Sequence, residues 1–428
     1  MLPEGLLELY LKNRSVCTDT RKIKSGDLFF ALKGPHFDAN AFAEKALADG
    51  AIAAVVDDDA LLGEPGMIVV HDVLRILQEL AKAYRKELKI PFIGITGSNG
   101  KTTTKELVRD VLKQKYRVFA TPGNLNNHIG VPLSILMIPQ DCEIAVIELG
   151  ANHIGEIEEL CSISDPDFGL ITNAGKDHLE GFGNVEGVRI ALNEINNHLR
   201  EKDGLAFVNA YLQDMVDLAK GLKTILFGPK DTEIGVWLNS NHKTINVAWN
   251  CEGKDQKPIA TKLAGAYNLH NVACAIAVGL HFDINSDQIV NAIELYTPGN
   301  NRSQWVNTGK NEIILDAYNA NPSSMEEALR NLAAQPGVSA FFMIGDMLEM
   351  GDAEAIEHIG ILDLCEKLGL KGCTVGQAFK SASSKFNFQA FMNVQEARNY
   401  FKEHPIIGSL ILLKGSRGIR MEEMMEVL

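Results

Sequence analysis

One run of residues has the composition and spacing to hold phosphate groups. Residues 96–104 read TGSNGKTTT, between an apolar run that ends in glycine and a segment whose apolar residues keep helical spacing. In a turn between a strand and a helix, successive backbone N–H groups and the positive helix end bind phosphates. The strict GxxxxGKT spacing is not met, because Ile95 stands at the first glycine position. A Gly-rich turn with a solvated lysine is the alternative interpretation.

The side chains of this loop have different expected roles. Lys101 adds a positive charge near the outer phosphates, and the hydroxyl of Thr102 can ligate Mg²⁺. The remaining residues expected around the phosphates are Gly97, Ser98, Asn99, Gly100 and Thr103.

Two further residues follow strand-like runs, where ligands bind to open parallel sheets. Glu148 ends CEIAVIELG and can ligate magnesium, while His178 follows FGLITNAG and can contact a second metal or a phosphate. Taken singly, a solvated carboxylate and a structural histidine are the alternatives. Because both residues and the phosphate loop are expected at one sheet edge, we predict that they form one catalytic site.

Asparagines supply neutral hydrogen-bonding groups at two other places. The segment TPGNLNNHIGVP contains Asn124, expected to contact substrate, and Asn127, expected to act in catalysis by orienting a phosphate or a carboxylate. An ordinary Asn/Gly turn is the alternative. Asn268 and Asn271 lie at a predicted helix start, where capping is the expected role of Asn268 and a contact with a nucleotide base is the other possibility.

The elements that must position these residues alternate between strand-like and helix-like patterns. Such alternation predicts an α/β protein with mostly parallel sheets covered by helices. We expect three domains: a small α/β domain over residues 1–88, a central parallel-sheet domain with the phosphate loop over 89–300, and a Rossmann-like domain over 301–428. Polar, hairpin-like strands are predicted at 235–262, and a linker at 296–304.

Composition excludes several classes of function. The net charge of −14 argues against broad nucleic-acid or anionic-membrane binding. The seven cysteines are scattered without a Cys-x-x-Cys pair, as in a reduced protein, and the N-terminal residues lack a secretion signal. Apolar runs are far shorter than the ~20 residues that span a bilayer. We therefore expect a cytoplasmic enzyme without a membrane span.

An ordered series of motifs resembles a known family. The segments TGSNGKTTTKE, GNLNNHIGVP, IELGANHIGEI, NAGKDHLEGFG, DAYNANPSSM, GDMLEMG and LKGSRGIRMEE are similar to those of the Mur ligase superfamily, in its MurF-type branch. Near the N-terminus, Thr18, Asp19, Thr20 and Arg21, followed by GDLFFALKG, resemble the UDP-sugar-binding domain of that branch. The similarity covers nearly the whole chain.

The resemblance implies an ATP- and Mg²⁺-dependent carbon–nitrogen ligase of peptidoglycan precursor synthesis. ATP would phosphorylate the terminal carboxylate of UDP-N-acetylmuramoyl tripeptide, and the amine of D-alanyl-D-alanine would attack the acyl phosphate. Thr102 and Glu148 would hold one Mg²⁺, and His178 would contact a second. The residues expected around adenine, ribose or phosphate are Asn268, Asn271, Arg302 and Asp316. Those expected to face the dipeptide are Tyr318, Asn319 and Asn321. We expect a monomer.

One position departs from the family pattern. Where the family has a lysine that can be carbamylated to bridge magnesium ions, this chain has Leu192, within EGVRIALNEI. A leucine side chain cannot ligate a metal. A second ion would then be held differently, with the nearby Glu194 as one candidate, or more loosely.

Three other functions fit parts of the sequence. Another Mur-type ligase would add the third amino acid or extend folate with glutamate. It is disfavoured because the sequence has no Asp-Asn-Pro-Arg run of the kind that diaminopimelate-adding ligases use, and because DAYNANPSSM resembles the dipeptide-adding branch. A non-catalytic, nucleotide-regulated binding protein would be compatible with Leu192. A simple P-loop kinase leaves the outer domains without a role. For the ligase, we expect both outer domains to close on the substrates, with residues 296–304 as a hinge.

Overall fold

A computed structural model of the chain describes residues 2–337 and 339–428. Within these residues the strands form three main sheets and one short hairpin. None of the helices in these ranges is both long and apolar enough to cross a bilayer. The predicted α/β class with mostly parallel sheets is confirmed.

Short elements alternate in the first part of the chain. The strands are β1 (Val16–Cys17), β2 (Leu28–Phe30), β3 (Lys33–Gly34), β4 (Phe37–Asp38), β5 (Ala53–Val56) and β6 (Met67–Val69). The helices are α1 (Leu6–Asn13), α2 (Ala43–Ala48) and α3 (Val73–Glu87). A parallel sheet has the order β1-β2-β5-β6, and β3 and β4 form the hairpin.

The second sheet carries the phosphate loop. Its strands are β7 (Phe92–Thr96), β8 (Val118–Ala120), β9 (Ile144–Glu148), β10 (Phe168–Ile171), β11 (Leu205–Asn209), β12 (Lys223–Gly228), β13 (Ile234–His242), β14 (Thr244–Cys251), β15 (Lys254–Asp255) and β16 (Ile259–Ala260). The accompanying helices are α4 (Lys101–Leu112), α5 (Gly130–Leu136), α6 (Glu156–Ser164), α7 (Leu179–Phe182), α8 (Val185–Glu201), α9 (Gln213–Leu218), α10 (Asn268–His281) and α11 (Ser286–Leu295).

The strand order of this sheet sets the position of the site. It runs β15-β14-β13-β12-β11-β10-β7-β9-β8, and the strands from β8 to β13 are parallel. Every residue of β7 is buried, because helices α4, α10 and α11 cover one face and α5, α6 and α8 the other. The chain leaves β7 towards β8 on one side and returns to β10 on the other, which makes the end of β7 a topological switch point. The predicted polar hairpin is β13 and β14.

The third sheet is Rossmann-like, as predicted for this part of the chain. Its strands are β17 (Gln304–Asn307), β18 (Glu312–Asp316), β19 (Ser339–Gly345), β20 (Lys371–Val375), β21 (Gln389–Phe391) and β22 (Ser409–Lys414). Its helices are α12 (Pro322–Ala333), α13 (Glu354–Lys367), α14 (Gln377–Ala382) and α15 (Val394–Glu403). The order is β17-β18-β22-β19-β20-β21, parallel except for the edge strand β17.

The first and second sheets share one apolar core, whereas the two cores of the third sheet take in only Ala264 from the second unit. Helix α3 packs on α5 and α6, and the Tyr84 hydroxyl donates to the Ile138 carbonyl at 2.7 Å. Contacts of the third sheet with the second are largely polar, such as the one between Asn241 Nδ2 and Asn331 Oδ1 at 3.2 Å. The third unit therefore packs on the second mainly through polar contacts.

Candidate active site

The phosphate loop joins β7 to α4 in a conformation that requires two glycines. Gly97 has φ 134°, and a Cβ there would lie 2.0 Å from Thr172 Oγ1. Gly100 has φ 82°, and its Cβ would lie 2.5 Å from Asn271 Oδ1. Positive φ and this close approach leave no room for another side chain.

Residues at the end of the neighbouring strand β10 hold the loop from one side. The backbone N–H of Asn99 donates to Asn173 Oδ1 at 3.1 Å, and the Thr172 hydroxyl donates to the Asn99 carbonyl at 2.6 Å. The Lys101 ammonium bends back over the loop and donates to the carbonyls of Gly97 and Ser98. Its charge therefore lies where the loop would receive phosphates.

Glu148 is the centre of a buried polar cluster next to the loop. The Thr102 hydroxyl lies 3.1 and 3.0 Å from its two carboxylate oxygens, and Asn126 Nδ2 donates to Oε1 at 2.8 Å. Lys105 Nζ lies 3.1 Å from Oε2, with the two side chains only 3% and 2% exposed. The carboxylate is thus paired with a cation and hydrogen-bonded on both oxygens.

This cluster fits a magnesium ion bound together with phosphates. Thr102 and Glu148 offer the hard oxygen ligands that Mg²⁺ prefers. In the described parts of the chain, histidine, cysteine and carboxylate side chains do not gather in groups of three or more that could hold a metal. Mg²⁺ commonly takes one or two protein ligands, water and substrate phosphates, so a sparse protein set agrees with it.

His178 lies at the start of α7 in the left-handed region, with φ 42°. Its Nδ1 contacts a carboxylate oxygen of Glu349 from the third unit, and its Nε2 lies 3.8 Å from Asp177 Oδ1. His178 and Asp177 both line the cleft.

The start of α10 closes another side of the site. Asn271 Nδ2 donates to Asn268 Oδ1 at 2.8 Å, and Asn271 Oδ1 accepts from the Thr104 hydroxyl at 3.0 Å. The expectation that Asn268 caps the helix is wrong. Helix α10 begins at Asn268 itself, and the Asn268 side chain donates to the Ala264 carbonyl at 2.7 Å.

The third unit supplies the opposite wall. Asp316 Oδ2 accepts from Lys414 Nζ at 2.7 Å, and the Arg302 guanidinium lies 3.6 Å from the centre of the Tyr318 ring. Asn321 caps α12 and donates to Asp177 Oδ1 at 2.9 Å and to Asn99 Oδ1 at 2.9 Å. One side chain thus links the third unit to the phosphate loop.

The walls enclose a cleft of about 370 Å³ between the second and third units. Most residues predicted for the site line it. They are Ser98, Asn99, Gly100, Lys101, Thr102, Thr103, Asn124, Asn127, Glu148, His178, Asn268, Asn271, Arg302, Asp316, Tyr318, Asn319 and Asn321.

Five predicted residues do not line this cleft. Gly97 forms the loop behind it, and residues 18–21 belong to the turn that follows β1 in the first unit. There Asp19 accepts from the Arg21 side chain at 2.8 Å, and this hydrogen bonding lowers the Asp19 pKa to about 2.

Sequence reasoning missed several residues of the cluster and the cleft. Lys105 stands one helical turn after Lys101, and Lys414 stands in LKGSRG at the end of β22, so position was the available signal for both. Glu327, one turn after Ser324 on α12, also lines the cleft. Surrounding protein at the cleft wall raises the Glu327 pKa to about 7 by desolvation, with Lys414 opposing the shift and Asp316 adding to it. The side chain nevertheless keeps an exposed face.

The structure does not support Glu194 as a metal ligand. Its two carboxylate oxygens accept from the backbone N–H groups of Gly155 at 2.7 Å and Glu158 at 2.9 Å, at the start of α6. Leu192 is 4% exposed and belongs to the apolar core. Neither residue lines the cleft.

Fold and cleft together define a nucleotide-dependent enzyme in which a phosphate-binding sheet faces a second α/β unit. Family models match almost end to end: the Mur ligase family catalytic domain at residues 13–94, the Mur ligase middle domain at 95–279, and the Mur ligase glutamate ligase domain at 301–417. The chain belongs to the Mur ligase family.

Individual relatives are similar over their full length. The UDP-N-acetylmuramoyl-tripeptide–D-alanyl-D-alanine ligase of Bacillus subtilis is 34% identical, across 96% of this chain and 92% of the relative. A crystal structure of MurF from Acinetobacter baumannii has a TM-score of 0.88 at 30% identity, over 98% of this chain and 97% of the other. MurF ligase from Thermotoga maritima in complex with ADP gives 0.87 at 25%, over 97% of each chain.

Proposed function

We propose that this chain is an ATP-dependent ligase that joins D-alanyl-D-alanine to UDP-N-acetylmuramoyl tripeptide through an acyl phosphate. The main support for this proposal is that one cleft is lined both by the phosphate loop and by Tyr318, Asn319 and Asn321 of the third unit. A phosphoryl donor and an amine acceptor can therefore meet there. The names of the full-length relatives support the same reaction.

In the first step, a carboxylate oxygen of the tripeptide would take the γ-phosphoryl group of ATP and ADP would leave. The tripeptide carboxylate and the triphosphate are both anions, so positive charge must bring them together. Lys101 and the N-terminus of α4 supply that charge at the loop. Thr102 and Glu148 would hold Mg²⁺, which supplies further charge neutralisation on the phosphates.

In the second step, the dipeptide nitrogen attacks the carbonyl carbon of the acyl phosphate. The bond between that carbon and the phosphate oxygen breaks, phosphate leaves and the nitrogen loses a proton. Asn124 and Asn127 would orient phosphate or carboxylate oxygens, while Tyr318, Asn319 and Asn321 would face the dipeptide. Closure of the third unit over the cleft would exclude water from the acyl phosphate.

The other predicted contacts complete the proposal. Asn268, Asn271, Arg302 and Asp316 would surround the nucleoside and its phosphates, and residues 18–21 would bind the UDP-sugar. We retain residues 1–88, 89–300 and 301–428 as the three domains, and we propose a monomer that acts in the cytoplasm.

The test is product formation followed by mass spectrometry. Purified protein with ATP, Mg²⁺ and UDP-N-acetylmuramoyl tripeptide should form the pentapeptide with D-alanyl-D-alanine, but not with a single amino acid or glutamate. Lys101→Ala should abolish the product, whereas Lys113→Ala, at an exposed lysine just after the same helix, should retain it. Turnover with another acceptor, or none with any amine, would refute the proposal.

A further inference from the structure

The contact between His178 and Glu349 joins two units of the protein at the edge of the cleft. Glu349 lies in the turn after β19, and its carboxylate contacts the imidazole through Nδ1. Nε2, the other ring nitrogen, lies on the side of Asp177. His178 lines the cleft and Glu349 does not, so the carboxylate holds the ring from outside.

The backbone around this pair fixes it further. The N–H of Glu180 donates to the Glu349 carbonyl at 3.3 Å. His178 and Glu349 adopt φ values of 42° and 63°, a left-handed region that non-glycine residues keep only where the surrounding structure imposes it. Two strained residues therefore face each other across the interface.

We propose that Glu349 is a positioning residue for His178. Its carboxylate accepts a hydrogen bond from Nδ1–H, which favours the tautomer with the proton on Nδ1 and leaves Nε2 as the ring nitrogen available to a ligand. That is the state an imidazole needs in order to act as a metal ligand, and a carboxylate is a usual partner for the other nitrogen. Because Glu349 belongs to the third unit, His178 becomes competent only when that unit is docked. The inference rests on the proposed function for its catalytic consequence.

A simpler interpretation is that the pair only fastens two units together. The same interface offers a matched control, because Lys176 Nζ forms an ion pair with Glu357 Oε1 at 2.6 Å without contacting His178. Removing Glu357 loosens the interface and leaves the ring partner in place. Removing Glu349 loosens the interface and also takes away the ring's carboxylate partner.

The experiment reads the tautomer directly. Protein labelled with ¹⁵N-histidine is observed at pH 8 by long-range ¹H–¹⁵N correlation, with the His178 signals identified from His178→Gln. Wild type and Glu357→Ala should show a protonated Nδ1 and an unprotonated Nε2. Glu349→Ala should lose this pattern, and Glu349→Gln should retain part of it, since the amide oxygen can still accept the proton. Melting temperatures of all variants check folding.

Kinetics supply the second readout. Removing such an outer carboxylate lowers activity ~10–100-fold in metal sites, so we expect kcat of Glu349→Ala to fall in that range, with a smaller change in the KM for ATP. An unchanged ring pattern or kcat in Glu349→Ala, or an equal loss in Glu357→Ala, would overturn the proposal. Failure of wild type to use D-alanyl-D-alanine would instead refute the proposed function, and the ring spectra would still decide the role of Glu349.

Discussion

Replacing Lys105 by methionine tests the buried pair on which the site is built. The substitution keeps most of the side-chain volume but removes the ammonium that lies 3.1 Å from Glu148 Oε2 and 3.2 Å from the Gly123 carbonyl. Glu148 keeps its contacts with Thr102 and Asn126, yet its charge loses the partner cation. The carboxylate would then be buried without compensation.

The expected magnitude follows from this burial. Breaking a buried ion pair by removing one partner costs ~3–5 kcal/mol, because the remaining charge stays desolvated. Two hydrogen bonds to Glu148 persist, so we expect about 3 kcal/mol. For a cooperative unit of ~150–250 residues this corresponds to a fall in Tm of roughly 6–12 °C.

Thermal melting monitored by circular dichroism measures the effect. Lys113→Met, at an exposed lysine after the same helix, should melt like wild type. Glu148→Gln combined with Lys105→Met should be less destabilising than the sum of the single changes, since the partners are coupled. Added Mg²⁺ should raise the Tm of Lys105→Met more than that of wild type, because the free carboxylate becomes a stronger ligand. A Tm of Lys105→Met within ~2 °C of wild type would refute this account of the cluster.

Three further predictions concern other parts of the protein. The Glu327 pKa is raised to about 7, so its carboxyl gains a negative charge as the pH rises from 6 to 8. Charge repulsion in the cleft should then raise the Kd for ATP ~2–3-fold over this range. Titration calorimetry should show no such rise for Glu327→Gln. Arg85→Ala should destabilise the protein by ~3 kcal/mol in urea unfolding, because the guanidinium stacks 3.7 Å from the Phe92 ring and donates to the Ser164 carbonyl at 2.9 Å; an unchanged midpoint would contradict a shared core. With Leu192 in place of a lysine, bicarbonate should leave steady-state turnover unchanged, and stimulation would indicate a carbamate elsewhere.

The central elements of the fold could be predicted because their sequence patterns are strong. β7 and β9 are continuous apolar runs, and α4 and α10 follow recognisable loop residues, so both their type and their place were expected. The edge strands β8, β17 and β21 were not predicted, since three or four residues, most of them at least partly exposed, carry little periodic signal. Their strand form depends on a neighbouring strand.

The residues of the candidate site also differ in how far the sequence predicts them. Residues within motifs, such as Lys101 and Glu148, could be named because loop type and strand ends define their positions. Lys105 lies within the motif TGSNGKTTTKE, yet its pairing with Glu148 depends on the packing of distant segments. The position of Glu327 at the cleft depends on such packing as well. The contact of Glu349 with His178 likewise joins residues that are 171 positions apart.

Closure of both outer units stays a prediction. The first and second units share an apolar core through helix α3. Independent movement of the first unit would expose that core. The third unit meets the second through mainly polar contacts, so we expect it to close more readily than the first. Tyr296, at the start of the predicted hinge, is anchored by a 2.7 Å hydrogen bond to Glu106.

The most direct test of the proposed reaction follows one oxygen atom. UDP-N-acetylmuramoyl tripeptide is prepared with ¹⁸O in its terminal carboxylate and incubated with ATP, Mg²⁺, D-alanyl-D-alanine and the protein. An acyl phosphate requires that one carboxylate oxygen leave with the phosphoryl group. Mass spectrometry should therefore show released phosphate that carries one ¹⁸O. Unlabelled phosphate formed together with the pentapeptide product would contradict it.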